Sequence, residues 1–341
     1  MKLPVCHLRL NIPHETVALV LLLFLPSYCG ELLSGSSPPN EYFQPLTLLS
    51  HVSLYGGGTL LIRELTVRWH LRWSQIFLAL AYGVLEEGLC CKSFFDPTWK
   101  DLGGLANYAN FGGVQWAWAL LLITFHMTIS TLIPLRIVQM LFPDLADKPL
   151  LRRTGMILAG LAVTTVVVFG FTCFPSPDKP FRLSPVLTAA CLITIVFFGW
   201  LAFYLRNSSN PASRLNQSRI FNKTPILALS AFALMAVTTV TPYLMASPFV
   251  SFVPPALTVA VQTMILLLLS IFCLATICQQ EIVVKRDRGF ILGCLSYWII
   301  LSFFLGKWMP FVGIVTILLC ILWCYLSSRA NQPAILTGTP S

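Results

Sequence analysis

The sequence predicts an all-α fold: a polytopic transmembrane helical bundle of about ten spans, N-in/C-in. Three observations carry that expectation. Of 341 residues, 56% are hydrophobic and only 10% are charged, far below the roughly 25% charged content of soluble domains. Apolar runs recur along the whole chain at the length a bilayer demands, about 20 residues. Lys and Arg cluster in the short segments between those runs, and the clusters alternate between two sides. The formal charge of +9 therefore suits topology, and no single basic face or tail suggests nucleic acid as a partner. The 11 cysteines lie almost all in apolar segments, without CxxC or Cys/His zinc spacing, which points to buried free thiols.

The runs fall near 15–29, 46–62, 74–95, 114–135, 154–175, 186–205, 225–246, 255–279, 289–305 and 309–327. With the N-terminus inside, the inner segments carry Lys2 and Arg9; Arg63, Arg68 and Arg72; Arg136, Lys148, Arg152 and Arg153; Arg206, Arg214, Arg219 and Lys223; Lys285, Arg286 and Arg288; and Arg329. The outer segments carry only Lys92, Lys100, Lys179, Arg182 and Lys307. Because cytoplasmic loops are enriched in Lys and Arg, this asymmetry orients the chain in a plasma or inner membrane, with the lipid bilayer as its first partner. A single integral domain over 1–341 is expected, its distinctive residues in 30–145 and an apolar bundle in 154–327.

The first run, Val17 to Pro26, is short and follows basic residues as a secretory signal would. No small-x-small cleavage site follows it, so an uncleaved signal anchor is expected. The polar segment 31–45 should lie outside and fold back over the bundle. The second run contains Gly56-Gly57-Gly58, which in a membrane indicates close helix contact or a local break. It ends in Arg63 and Glu64, placed at the inner boundary where long side chains reach headgroups. The third carries Glu86-Glu87. A Gly- and Asn-rich outer loop, 95–113, then precedes the fourth run, where Gln115, Ala119, Leu122, His126 and Ser130 form one helical stripe facing the bundle. Runs five to ten have no Asp, Glu, Lys, Arg or His in their central portions. Three glycosylation sequons, at Asn207, Asn216 and Asn222, lie in a segment that the charge rule puts inside, where they are chance composition.

The adjacent carboxylates are the anomaly. Each costs about 2.5–3.5 kcal/mol near the bilayer centre, so the pair needs a partner, a proton or water. Neighbouring helical residues point about 100° apart, so Glu86 and Glu87 should not both face one neighbour squarely: one holds structure while the other faces a cavity. From the helical rise, Glu86 lies about 14 Å and His126 about 18 Å from the outer surface, so the two can meet. His51, at about 8 Å, joins them only if the helices are shifted or tilted. Two carboxylates with one or two imidazoles suit a divalent metal that activates water, with Glu87, His126 and His51 as ligands, or a proton relay. A hydrogen-bonded Glu–His pair that merely locks the bundle is the competing expectation.

The stretches from Gly57 to Leu65 (GGTLLIREL) and from Ala81 to Gly88 (AYGVLEEG), with the later Phe125-His126, resemble a group of uncharacterised prokaryotic multi-pass membrane proteins. That resemblance covers roughly 30–145 and implies no activity. More distantly, a double glutamate followed one helix later by a histidine is similar to the CAAX-protease-like intramembrane metalloproteases, which implies catalysis by Glu86, Glu87 and His126. The chain departs from that pattern at Cys91, four residues after Glu87, and at Leu122, four before His126, and no histidine follows His126. The functional expectation is a metal-dependent or acid–base hydrolase acting on a lipid-embedded or peptide substrate. The alternatives are a proton- or ion-coupled transporter and a non-catalytic membrane scaffold.

Overall fold

The structure, a computed structural model, describes residues 13–331 apart from Pro177 and Ser251, and excludes the side chains of Asn216, Gln217, Arg219 and Asn222. The basic residues Lys2 and Arg9, the Arg219 side chain and the Asn216 and Asn222 sequon side chains lie outside the described residues. The protein is 76% helical. Among the described residues ten long helices follow one another: α1 (His14–Leu32), α2 (45–68), α3 (75–90), α4 (Trp116–Leu141), α5 (Arg153–Cys173), α6 (Pro185–Asn207), α7 (Thr224–Met245), α8 (Pro255–Ala275), α9 (Val284–Ser302) and α10 (Met309–Ala330). Strand structure among the described residues is one antiparallel pair, Asn110–Phe111 with Val114–Gln115. Proline stands in the first turn of α2, α6, α7, α8 and α10, where its missing N–H breaks no helical bond.

Seven of these helices are long and apolar enough to cross a membrane: α1, α4, α5, α6, α7, α8 and α10. The remaining expected runs are helical too, but charge or length sets them apart. Arg63, Glu64 and Arg68 end α2, Lys285, Arg286, Asp287 and Arg288 begin α9, and α3 stops where Lys92 takes a φ of 62°.

The connecting segments gather at two ends of the bundle, alternating in chain order. At one end Gly35 packs against Leu305, the Tyr243 hydroxyl donates to the Asp101 carbonyl at 3.4 Å, and Tyr108 and Thr258 share a 2.8 Å bond. Segment 31–45 thus folds over the bundle, as expected. At the other end Trp73 Nε1 donates to the Ser208 carbonyl at 3.0 Å, Asn210 Nδ2 to Leu274 at 2.8 Å, and Asn331 Nδ2 to Met140 at 2.8 Å.

α4 is the axis: 83% of its apolar stretch is buried inside the protein, against 11% for α5 and α6. The predicted stripe is buried apart from half-buried Leu122, but so is almost everything else on α4, because α1, α3, α7, α8 and α10 surround it. α1 packs into the bundle through Ala18 and Leu22. The three successive glycines of α2 face three neighbours: Gly56 the Leu23 backbone of α1, Gly57 Val163 of α5, and Gly58 the Tyr82 ring of α3. A side chain at any of them would push a helix away. Ten cysteines among the described residues are free thiols, most of them buried.

The expectation that Arg63 and Glu64 reach toward headgroups is overturned. Both are buried: Glu64 accepts from Arg63 Nη1 at 2.8 Å, Arg68 Nε at 3.2 Å and the Leu150 N–H at 2.7 Å, while Arg63 Nη2 donates to the Leu145 and Lys148 carbonyls. The cage satisfies the exposed backbone of segment 142–152, which the apolar neighbourhood could not. A matching knot joins α4 to α9. Asp287, fully buried, holds Arg136 at 2.6 Å and Arg286 at 3.0 Å, and Arg136 also donates to the Gln279 and Glu281 carbonyls. Lys92 too is buried, its Nζ donating to the Phe171 and Phe174 carbonyls at the C-terminal end of α5, where a cation complements the helix dipole.

Candidate functional site

Four helices bring polar residues to one place, and each does so through a π-helical stretch. Glu31 sits in Tyr28–Leu32 of α1, Tyr55 in Val52–Gly56 of α2, Glu86 and Glu87 in Val84–Cys90 of α3, and His126 opens His126–Leu132 of α4. π-turns are rare, and they recur at functional sites because the extra residue re-aims side chains that an α-helix would spread. Local sequence accommodates them. Gly30, Gly56 and Gly88 each lie within one, and the fourth is followed by Pro134, which lacks the N–H that a regular helix would give to the Ser130 carbonyl. α3 approaches α4 closely at Gly83, where an added Cβ would lie in ordinary van der Waals contact with Ile123 and His126.

The result corrects one expectation. Glu86 and Glu87 do face one neighbour, gripping the same imidazole from its two nitrogens. Glu87 Oε1 is 3.0 Å from His126 Nε2 and Glu86 Oε2 is 3.1 Å from Nδ1. The wide turn narrows the angle between adjacent side chains, and the ring offers two edges. The bonds are unequal. His126 Nε2 hydrogen-bonds Glu87, while Nδ1 bonds Ser130 Oγ at 3.2 Å and leaves buried Glu86 Oε2 without a hydrogen-bond partner. Glu87 is oriented further by Ser93, whose hydroxyl donates to its Oε2 and accepts from Trp118 Nε1 at 3.1 Å.

The charge account does not close. Even with the ring as imidazolium, two carboxylates against one cation leave a negative charge in a buried place, and a proton or a further cation is needed. The carboxylate and imidazole donor atoms of Glu86, Glu87 and His126 all lie within 4.8 Å of one another and could hold a metal ion. His51, the third expected ligand, lies elsewhere: its Nε2 is 3.9 Å from Glu31 Oε1, which also accepts from the Tyr55 hydroxyl at 2.6 Å. The Tyr55 ring stands between the two imidazoles, its centroid 6.0 Å from each.

Glu87 and His126 line a cavity of about 720 Å³, whereas Glu86 stays behind its wall. The cavity reaches to the end of the bundle where Ser34, Trp99, Asp101 and Leu305 border it, and α7 and α9 form its far side through Tyr243, Leu244, Trp298 and Leu301. The loop 95–113 borders the mouth of the cavity through Trp99 and Asp101. Asp101 is exposed at that border; partial desolvation raises its carboxyl above the ordinary Asp value against the pull of Lys100, and the Glu31 and Glu87 charges add to the rise.

Sequence reasoning named Glu86, Glu87 and His126, which the fold brings together. It missed Glu31, Tyr55, Ser93 and the contribution of α7 and α9. Glu31 had a signal, an acid directly after an apolar run, but was assigned to the loop. Nothing in the apolar α7 and α9 sequences marks a cavity wall.

Fold and site together define a multi-pass helical membrane protein with a buried Glu–Glu–His group facing an internal cavity. The chain belongs to a family described as an uncharacterized membrane protein family, which it matches over residues 20–334. No curated protein and no solved structure matches it.

Proposed function

We propose that Glu86, Glu87 and His126 form an intramembrane acid–base site for hydrolysis of an amphiphilic substrate, a lipid-embedded ester or a peptide. One observation carries this reading: the two groups best suited to move protons, Glu87 and His126, lie 3.0 Å apart and both open on the cavity. A pair that only locked helices together would be packed dry on all sides. In the reaction Glu87 takes a proton from water as its oxygen bonds the substrate carbonyl carbon. The carbon–leaving-group bond then breaks, and the proton passes through His126 to the departing oxygen or nitrogen. Glu86, outside the cavity, holds the ring and its positive charge. A divalent metal would be held by Glu86, Glu87 and His126, and the orphaned Glu86 oxygen suits that role; when bound, it would supply an activated water.

The reading includes the membrane placement. All ten helices cross as one integral domain, N-in and C-in, in a plasma or inner membrane, and the cavity opens outward. The alternation of connecting segments between two ends and the basic clusters at one of them support it.

The test is oxygen exchange. Full-length protein in lipid nanodiscs, given acyl esters and amides in ¹⁸O-water, should place the label in the product acid. Glu87→Gln should lower the rate by about 10²-fold or more. Metal content of the same preparations decides the metal version: stoichiometric metal lost in Glu87→Ala supports it, and metal-free turnover removes it. If labelled product forms equally in wild type and Glu87→Gln, the hydrolytic reading fails.

A further inference from the structure

We infer that the cavity takes a single-chain amphiphile with an ammonium head and a carbonyl-bearing neck, a substrate class that rests on the hydrolytic reading above. Charge is the first observation. Glu31, Glu87 and Asp101 line the space, Glu86 stands directly behind it, and among the described residues no Lys or Arg lines it. The local balance stays negative even with His126 protonated. A cleft lined by one sign of charge and walled by apolar side chains concentrates ions of the other sign. A phosphate or carboxylate head would face the three lining carboxylates, with the His126 ring as the nearby potential cation.

The walls supply the second observation. Tyr55, Trp99, Trp118, Phe125, Tyr243 and Trp298 line the same cavity as the carboxylates. Aromatic faces attract ammonium groups through their quadrupole, and quaternary heads are held in this way. Hydrated metal ions gain less from such a lining, whereas an alkylated nitrogen gains from both walls and charge. Beyond the aromatics, Leu122, Val240, Leu244, Leu301 and Leu305 offer aliphatic surface for a chain. The volume lies within the roughly 300–1,000 Å³ range of sites that enclose small amphiphiles.

The carbonyl-bearing neck follows from the hydrolytic reading itself: the bond that is cleaved must lie in the space that Glu87 and His126 both face.

Binding without turnover separates this proposal from the reaction. Full-length protein in maltoside micelles is titrated with octyltrimethylammonium, octyl sulfate or 1-octanol while tryptophan emission is followed. Octyltrimethylammonium should bind about tenfold or more tighter than either. Glu31→Gln and Asp101→Asn should each weaken the cation severalfold and leave 1-octanol unchanged, which also shows that the variants are folded. Equal affinity for the three head groups, or unchanged cation binding in both variants, would overturn the inference. Octanoylcholine connects the two readings. Its binding without cleavage sinks hydrolysis and keeps this ligand class, whereas cleavage of octanoylglycolate in preference to octanoylcholine does the reverse.

Discussion

At the scale of single residues, the protein is held by buried charge groups whose members are individually costly and jointly satisfied. His126 stands between two carboxylates, so its loss leaves both without a cation. His126→Gln should lower stability by about 3–5 kcal/mol, the cost of uncovering a buried charge. Adding Glu86→Gln should recover part of it, because one of the stranded carboxylates is then neutral. Thermal unfolding of the purified single and double variants measures both effects; a double variant no more stable than His126→Gln would show that Glu86 does not bear on the imidazole. Asp287 sits between Arg136 and Arg286 in the same way. Asp287→Asn should cost about 3–5 kcal/mol while leaving the cavity at the other end of the bundle unaltered.

At the scale of elements, π-turns and glycines do the positioning. α1 and α2 approach so closely at Gly56 that an added Cβ would meet the Leu23 backbone, with Leu23 Cα at 2.7 Å. Backbone cannot swing aside as a side chain can. Gly56→Ala should therefore destabilise by about 1–3 kcal/mol through overpacking. Gly160→Ala on α5, where nothing lies within 4 Å, should be neutral or slightly stabilising. Comparable unfolding shifts for the two variants would remove the close-approach explanation. The four π-turns also explain why helical periodicity misjudged the two glutamates. A fixed 100° step assumes a regular α-helix, and the site lies where that register is broken.

At the scale of the whole molecule, the arrangement is a buried axial helix, α4, with polar knots at one end and an open cavity at the other. The orientation has a direct test. In a background without reactive native thiols, Gly104→Cys and Phe249→Cys should react with an impermeant maleimide added to intact cells. Ser208→Cys should react only after lysis. The opposite pattern would reverse the topology and turn the cavity inward. The ten helical elements were legible because hydropathy and helix length are local properties, and free thiols followed from cysteine placement. Partners of charged residues were less legible. Arg63, Arg136 and Lys92 counted only as basic residues near the ends of apolar runs, yet each is buried against carbonyls or a carboxylate contributed by distant segments.

Composition and periodicity by themselves determined a helical membrane bundle and singled out Glu86, Glu87 and His126, because charge in an apolar run is anomalous wherever the chain folds. Only the tertiary structure decided that both carboxylates meet one ring, that His51 pairs with Glu31 instead, and that α7 and α9 close a cavity over Glu87 and His126. Those outcomes depend on helix register and on which faces meet across many residues. No local window of sequence contains that information.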